Sequence, residues 1–193
     1  TFLIVGALPW MAFCDAIGRG MNSLVDAGSL LQKNALPPVL IAARAVLAST
    51  VIYGPLMLLV ALVYAPLHHF NGAVLSVLAL LCIQLALSLL MGYLLAIFTA
   101  ALRDTAQLVG FLLSMGIYLS PILFPLSMFP EKWRWVLWFN PMTALVLGYQ
   151  QVLLQGVWPV ASVRWVSLAW LVLVALVLNV VVARSRDQLV DWL

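Results

Sequence analysis

Of 193 residues, 66% are hydrophobic and only 8% charged, which leaves too few polar side chains to cover a water-soluble domain of this length. The net charge of +3 is spread along the chain and forms no basic face of the kind that binds nucleic acid. The two cysteines, Cys14 and Cys82, lie in separate apolar runs with no CxxC pair and no His/Cys cluster, so neither a disulfide framework nor a metal site follows.

Lipid is then the expected solvent. The apolar runs are rich in Leu, Val and Ala and lack the strict alternation of outer-membrane barrel strands, which need about 10 residues per crossing. A helix crosses the hydrocarbon core in about 20. The fold class expected is therefore all-α, a polytopic helical membrane protein with five full spans.

The first span is predicted from Phe2 to about Ile17 and carries Pro9; the second, from Val39 to Tyr64, carries Pro55. Packed neighbours can satisfy the carbonyl that each proline frees. The third runs from Ala73 to Ala101, the fourth from about Leu108 to Phe124, and the last from Val163 to Ala183. Between Pro125 and Val160 the pattern breaks into two short pieces, Trp133 to Phe139 and Met142 to Leu154, separated by Asn140-Pro141. Proline disfavours helix in the residue before it, so Asn140 marks a break between two half-helices. A re-entrant helical hairpin before the last span is the expectation, and such irregular backbone is tolerated at membrane depth only when buried in protein or lining a wet cavity.

Alternation through five spans places Arg19, Lys33, Arg44, Arg103, Arg184 and Arg186 on one side, and Lys132, Arg134 and Arg164 on the other. The positive-inside rule makes the first set cytoplasmic, with the C-terminus. Thr1 then lies outside, and without an initial Met or a basic leader the expectation is that an N-terminal helix and a first span precede residue 1. No internal repeat or linker divides residues 1–193, which read as one transmembrane domain.

Little in the chain points to catalysis. No Gly-x-x-x-x-Gly-Lys phosphate loop occurs, and no His, Asp and Ser residues converge at one depth as an intramembrane enzyme would require. Asp15, Gln84 and Asn179 are polar residues in or near spans that can bond neighbouring helices, but they form no proton relay. The His68-His69 pair reads as a solvated loop. Asp15 to Asn34 suits a helix with Ile17, Met21, Leu24 and Leu31 near one side and Arg19, Asp26 and Lys33 elsewhere. Asp104 is placed to cap the helix that follows it, beside Arg103. Asn140 is an ordinary turn residue whose side chain can bond the backbone two residues on.

Three segments, taken together, resemble the permease subunits of type-2 ABC exporters, in the group that exports O-antigen, capsule and teichoic-acid polymers. Gly6-Ala7-Leu8-Pro9-Trp10-Met11-Ala12-Phe13 is similar to that family's Gly-Leu-x-Pro-Trp-x-Phe-Phe pattern. The stretch from Ser23 to Pro37 is similar in length and apolar spacing to one ending in Lys-Lys-x-x-Phe-Pro, departing from it at Ala27 and Gln32. Arg103-Asp104, Ser120-Pro121, Asn140-Pro141 and Tyr149-Gln150 follow in the family's order, with Gln150 where Arg is common.

The resemblance implies an inner-membrane permease for lipid-linked polysaccharide. Its partners would be a second copy of itself, two ATPase subunits that bind ATP and Mg, and membrane lipid; this chain would bind no cofactor and no nucleic acid. An exporter of a drug or small lipid is the alternative. Asp26, Lys33, Arg103 and Asp104 would couple to the ATPase. Tyr118, Trp133, Trp135, Trp138, Asn140 and Tyr149 would line the substrate path. Aromatic rings stack on the apolar faces of sugars, but they also anchor helices at the headgroup level, and a lone Tyr in a span commonly packs with its hydroxyl satisfied.

Overall fold

The computed structural model describes residues 2–34, 36–68 and 72–192, together with the backbone but not the side chains of His68 and Val190. Thr1 and His69 lie outside the described residues, and with them the placement of the N-terminus and of the histidine pair.

The chain folds as α1 (Phe2–Asp26), α2 (Gly28–Lys33), α3 (Pro38–Tyr64), α4 (Ser76–Ala101), α5 (Thr105–Gly116), α6 (Arg134–Leu137), α7 (Pro141–Gln155), α8 (Ala161–Ser185) and α9 (Leu189–Trp192), with no strand among the described residues. Among the described residues four helices are long and apolar enough to cross a membrane: α1, α3 with its following turn, α4 with its preceding turn, and α8.

Three of these follow the hydropathy pattern closely. The first does not end near Ile17 but continues to Asp26 as one 25-residue helix. The charges that suggested an end are accommodated within it, because Arg19 Nε donates to Asp15 Oδ2 at 2.8 Å one turn earlier. Beyond them Ile17, Gly20, Met21 and Leu24 keep the apolar stripe going, and all four are buried.

The fourth predicted span departs further. α5 stops at Gly116 after 12 residues, about 18 Å of helix, and residues 117–122 are turns. Hydropathy could not see this stop. Leu108 to Phe124 is apolar throughout, but Ser120 precedes Pro121 and is biased away from helix. Nor does Asp104 act as expected at the other end, since it occupies the N-cap position of α5 without a side-chain capping bond.

Small residues set the closest packing. A Cβ at Gly20 would lie 2.9 Å from the Gly92 Cα and 3.0 Å from Val46 Cγ2, so α1 and α4 meet nearly backbone to backbone with the Val46 side chain of α3 packed against the same point. Lipid tails are as apolar as leucine, and helices in a bilayer gain by such close van der Waals approach rather than by hiding apolar surface. A second, smaller cluster at the other end of α1 joins Leu24, Leu31, Ile97, Ala100 and Leu189. It gathers the C-terminal ends of α1 and α4 with α2 and α9.

Candidate functional site

The Asn140-Pro141 break ties the start of α7 to the end of α5. α6 ends at Leu137 and α7 begins at Pro141, whose ring occupies the first helical turn where its missing N–H costs nothing. Asn140 caps α7: its Oδ1 accepts from the Met142 amide at 3.0 Å, the bond two residues on that the sequence suggested. The same side chain reaches across to α5. Asn140 Nδ2 donates to the Gly116 carbonyl at 3.3 Å and to Ser120 Oγ at 2.7 Å, taking up a carbonyl left free where α5 stops.

Trp10, of the Pro-Trp pair, closes the junction. Its ring fills the place where a Gly116 side chain would stand, since a Cβ there would lie 2.5 Å from Trp10 Cη2. An apolar cavity of about 340 Å³ opens beside it, lined by Trp10, Phe13, Val109, Leu113, Gly116 and Asn140. On the other flank of α5 a cleft of about 520 Å³ runs past Met11, Cys14, Gly110 and Ser114.

From that junction α7 runs through protein, with eleven of its fifteen residues buried. Two amide side chains fix it. Gln150 Nε2 donates to the Pro121 carbonyl at 2.7 Å. Tyr149, fully buried, donates its hydroxyl to Gln84 Oε1 at 2.9 Å, and Gln84 Nε2 donates to the Pro9 carbonyl at 2.9 Å. One chain of bonds thus joins α7, α4 and the proline turn of α1. Each such interhelical bond contributes on the order of 1 kcal/mol, and each holds a polar group that would otherwise be stranded.

Helix register locates the break along the spans. The Trp138 carbonyl accepts from Trp170 Nε1 at 3.1 Å, and Trp170 is nine residues beyond the start of α8, about 13 Å along it. By contrast, the far end of α7 meets the starts of α1 and α4, where Ile4, Val5, Val77, Tyr149 and Leu153 surround one small cavity.

The other predicted path residues divide by exposure. Trp133 and Trp135 are exposed, as is Tyr118, while Trp138 and Asn140 are half-buried. Trp135 packs edge-on against Phe139, with ring centroids 5.7 Å apart. Tyr149 differs from the rest: with no exposed surface and its hydroxyl bonded, it is a core residue that no substrate reaches in this arrangement. At the opposite end Asp26, Lys33, Arg103 and Asp104 are all exposed, on or next to the helices whose apolar faces form the smaller cluster.

Sequence reasoning noted Gln84 only as a polar residue in a span and Gln150 only as a departure from Arg. Their partners, the carbonyls of Pro9 and Pro121, belong to prolines already visible in the sequence. A glutamine in a span of a chain with in-helix prolines is the signal that could have paired them.

Residues 1–154 match the ABC-2 type transporter family. The chain belongs to that family. Among curated relatives it is 31% identical over 156 residues to the O-antigen export system permease protein RfbA of Myxococcus xanthus, covering 78% of this chain and 59% of the relative. Two proteins of the same name from Klebsiella pneumoniae are 23% and 22% identical over 162 residues, each alignment covering 81% of this chain and 61% of the relative. The chain thus spans about six-tenths of the length of the curated relatives it matches. The Pro9-Trp10 motif and the Asn140 junction both fall within the family match.

Proposed function

We propose that this chain forms the membrane-crossing part of an ATP-driven exporter of lipid-linked polysaccharide, of the O-antigen kind. The observation that carries this is the family match together with relatives named as O-antigen export permeases. Two copies would pair, with two ATPase subunits supplying ATP hydrolysis, and the polymer would pass along the surface between the copies. Asp26, Lys33, Arg103 and Asp104, at one end of the bundle, would face the ATPases.

In this reading α5 and the turns after it make a fifth crossing, and residues 129–155 form a re-entrant hairpin from the outer face. The register of Trp138, which meets Trp170 about 13 Å along α8, supports that reading, as does the return of α7 to the level where α4 begins. Exposed Trp133 and Trp135, with half-buried Trp138, would meet the sugars at the exit. Tyr118 lies on the exposed surface of the turn after α5, where the same polymer would pass.

Complementation tests this. In a strain deleted for its own O-polysaccharide permease and supplied with the full-length protein and its ATPase, long-chain polysaccharide should return to the cell surface. Trp133→Ala with Trp138→Ala should reduce that export several-fold while the complex still purifies intact. Export of a dye or small lipid with no surface polymer would overturn the proposal.

A further inference from the structure

We propose that the cleft between α1 and α3 is a binding site for one phospholipid with a phosphoethanolamine headgroup. The cleft, of about 360 Å³, is lined by Arg19, Ser23, Asp26, Ile41, Arg44 and Ala48. It sits at the end of the bundle where α1 finishes and α3 begins.

Its charges do not cancel internally. The Arg44 side chain makes no ion pair or hydrogen bond among the described residues, and neither does that of Asp26. Arg19 spends its Nε on Asp15 at 2.8 Å, which leaves the two terminal nitrogens of its guanidinium. The Ser23 hydroxyl donates to the Gly20 carbonyl at 2.6 Å, so its oxygen can only accept. The cleft therefore offers strong donors on Arg44 and Arg19 and one strong acceptor on Asp26.

Depth makes the unpaired Arg44 informative. It is six residues beyond Pro38 in a 27-residue apolar helix, about 9 Å along it. A guanidinium is costly there unless it reaches the interface or a counter-ion. A phosphodiester supplies the counter-ion, since its oxygens match the planar fork of arginine. Were the ligand only an anion, Asp26 would be left facing it. A primary ammonium two carbons from the phosphate answers that carboxylate with three N–H donors. A choline headgroup carries the charge without a donor, and a glycerol headgroup carries no cation. The hydrocarbon tails would leave the cleft past Ala48, which is exposed.

The inference rests on the helices lying in a membrane and not on which substrate is exported, so it can fail while the export reading stands. Native mass spectrometry of the full-length protein, exchanged against equal amounts of dioleoyl phosphatidylethanolamine, phosphatidylglycerol and phosphatidylcholine, tests it. Wild type should retain one ethanolamine lipid in preference to the other two. Arg44→Gln should lower lipid retention about tenfold for every headgroup, the loss of one charge-assisted contact. Asp26→Asn should erase the preference over phosphatidylglycerol without lowering total retention. If Arg44→Gln does not yield a monodisperse protein, Arg44→Lys serves, with partial retention expected. Equal retention of all three lipids by wild type would overturn the proposal. So would displacement of the bound lipid by a polyprenyl diphosphate with the same affinity in wild type and Asp26→Asn, which would give the site to an anionic carrier lipid.

Discussion

α5 and α7 are both apolar helices too short to cross a bilayer, at 12 and 15 residues, yet the protein treats them oppositely. Of α5 only Gly116 is buried, and large side chains such as Leu108 and Phe111 are exposed. α7 is buried along most of its length. The difference is not apolarity. α7 is bounded by a capping Asn140 and by Gly156 in a left-handed conformation at φ 66°, and it carries Thr143, Gly148, Tyr149 and Gln150. Of these Thr143, Tyr149 and Gln150 donate hydrogen bonds to groups outside the helix. α5 has small and polar residues as well, but its Ser114 hydroxyl donates back to the Gly110 carbonyl of its own helix, and its leucine, valine and phenylalanine side chains gain as much from lipid as from protein. In this solvent polar and small residues decide what is buried.

Substitutions should expose that contrast in order of size. Tyr149→Ala should be the most damaging, since it empties a fully buried site and strands Gln84 Oε1. A loss of roughly 3–5 kcal/mol is expected, as for other buried aromatics, read as a large fall in the thermal midpoint of the purified protein. Tyr149→Phe should cost about 1–3 kcal/mol, because only the buried hydrogen bond is lost. A midpoint unchanged in Tyr149→Phe would show that the link from α7 to α4 contributes nothing.

Asn140→Ala should come next. It removes the cap, worth about 1 kcal/mol, and both bonds to the end of α5. Asn140→Asp separates these, because a carboxylate still accepts from Met142 but cannot donate to the Gly116 carbonyl. Cap-dominated behaviour would leave Asn140→Asp near wild type; a bridging role would make it resemble Asn140→Ala. Gly116→Ala should cost about 1–3 kcal/mol by pushing Trp10 off its seat. Smallest of all, Leu108→Ala on the open face of α5 should stay within about 0.5 kcal/mol of wild type. A larger effect would mean that this face is packed in the assembled protein.

The long spans were legible because about 20 apolar residues in a row leave lipid as the one workable solvent. The break at Asn140 and its local bond were legible too, since both are set by Pro141 and by side-chain reach along the chain. What escaped depends on residues far apart. The end of α5 was hidden in an apolar run because Ser120-Pro121 carries no hydropathy signal. The end of α1 lies beyond the expected Ile17 because Arg19, assigned by charge to the cytoplasmic side, pairs with Asp15 one turn earlier and rides on the helix. The Gln84 bonds to Pro9 and Tyr149 span 75 and 65 residues, a pairing that no local pattern encodes. Tyr149 is fully buried with its hydroxyl bonded, as a lone Tyr in a span commonly is.

The sidedness of the break is the claim on which the account turns, and single-cysteine labelling tests it most directly. With Cys14 and Cys82 replaced by serine in the full-length protein, Trp133→Cys and Phe139→Cys should react with a membrane-impermeant maleimide in intact cells, and Arg103→Cys only after permeabilisation. Labelling of Arg103→Cys in intact cells, with Trp133→Cys silent until the membrane is opened, would contradict it.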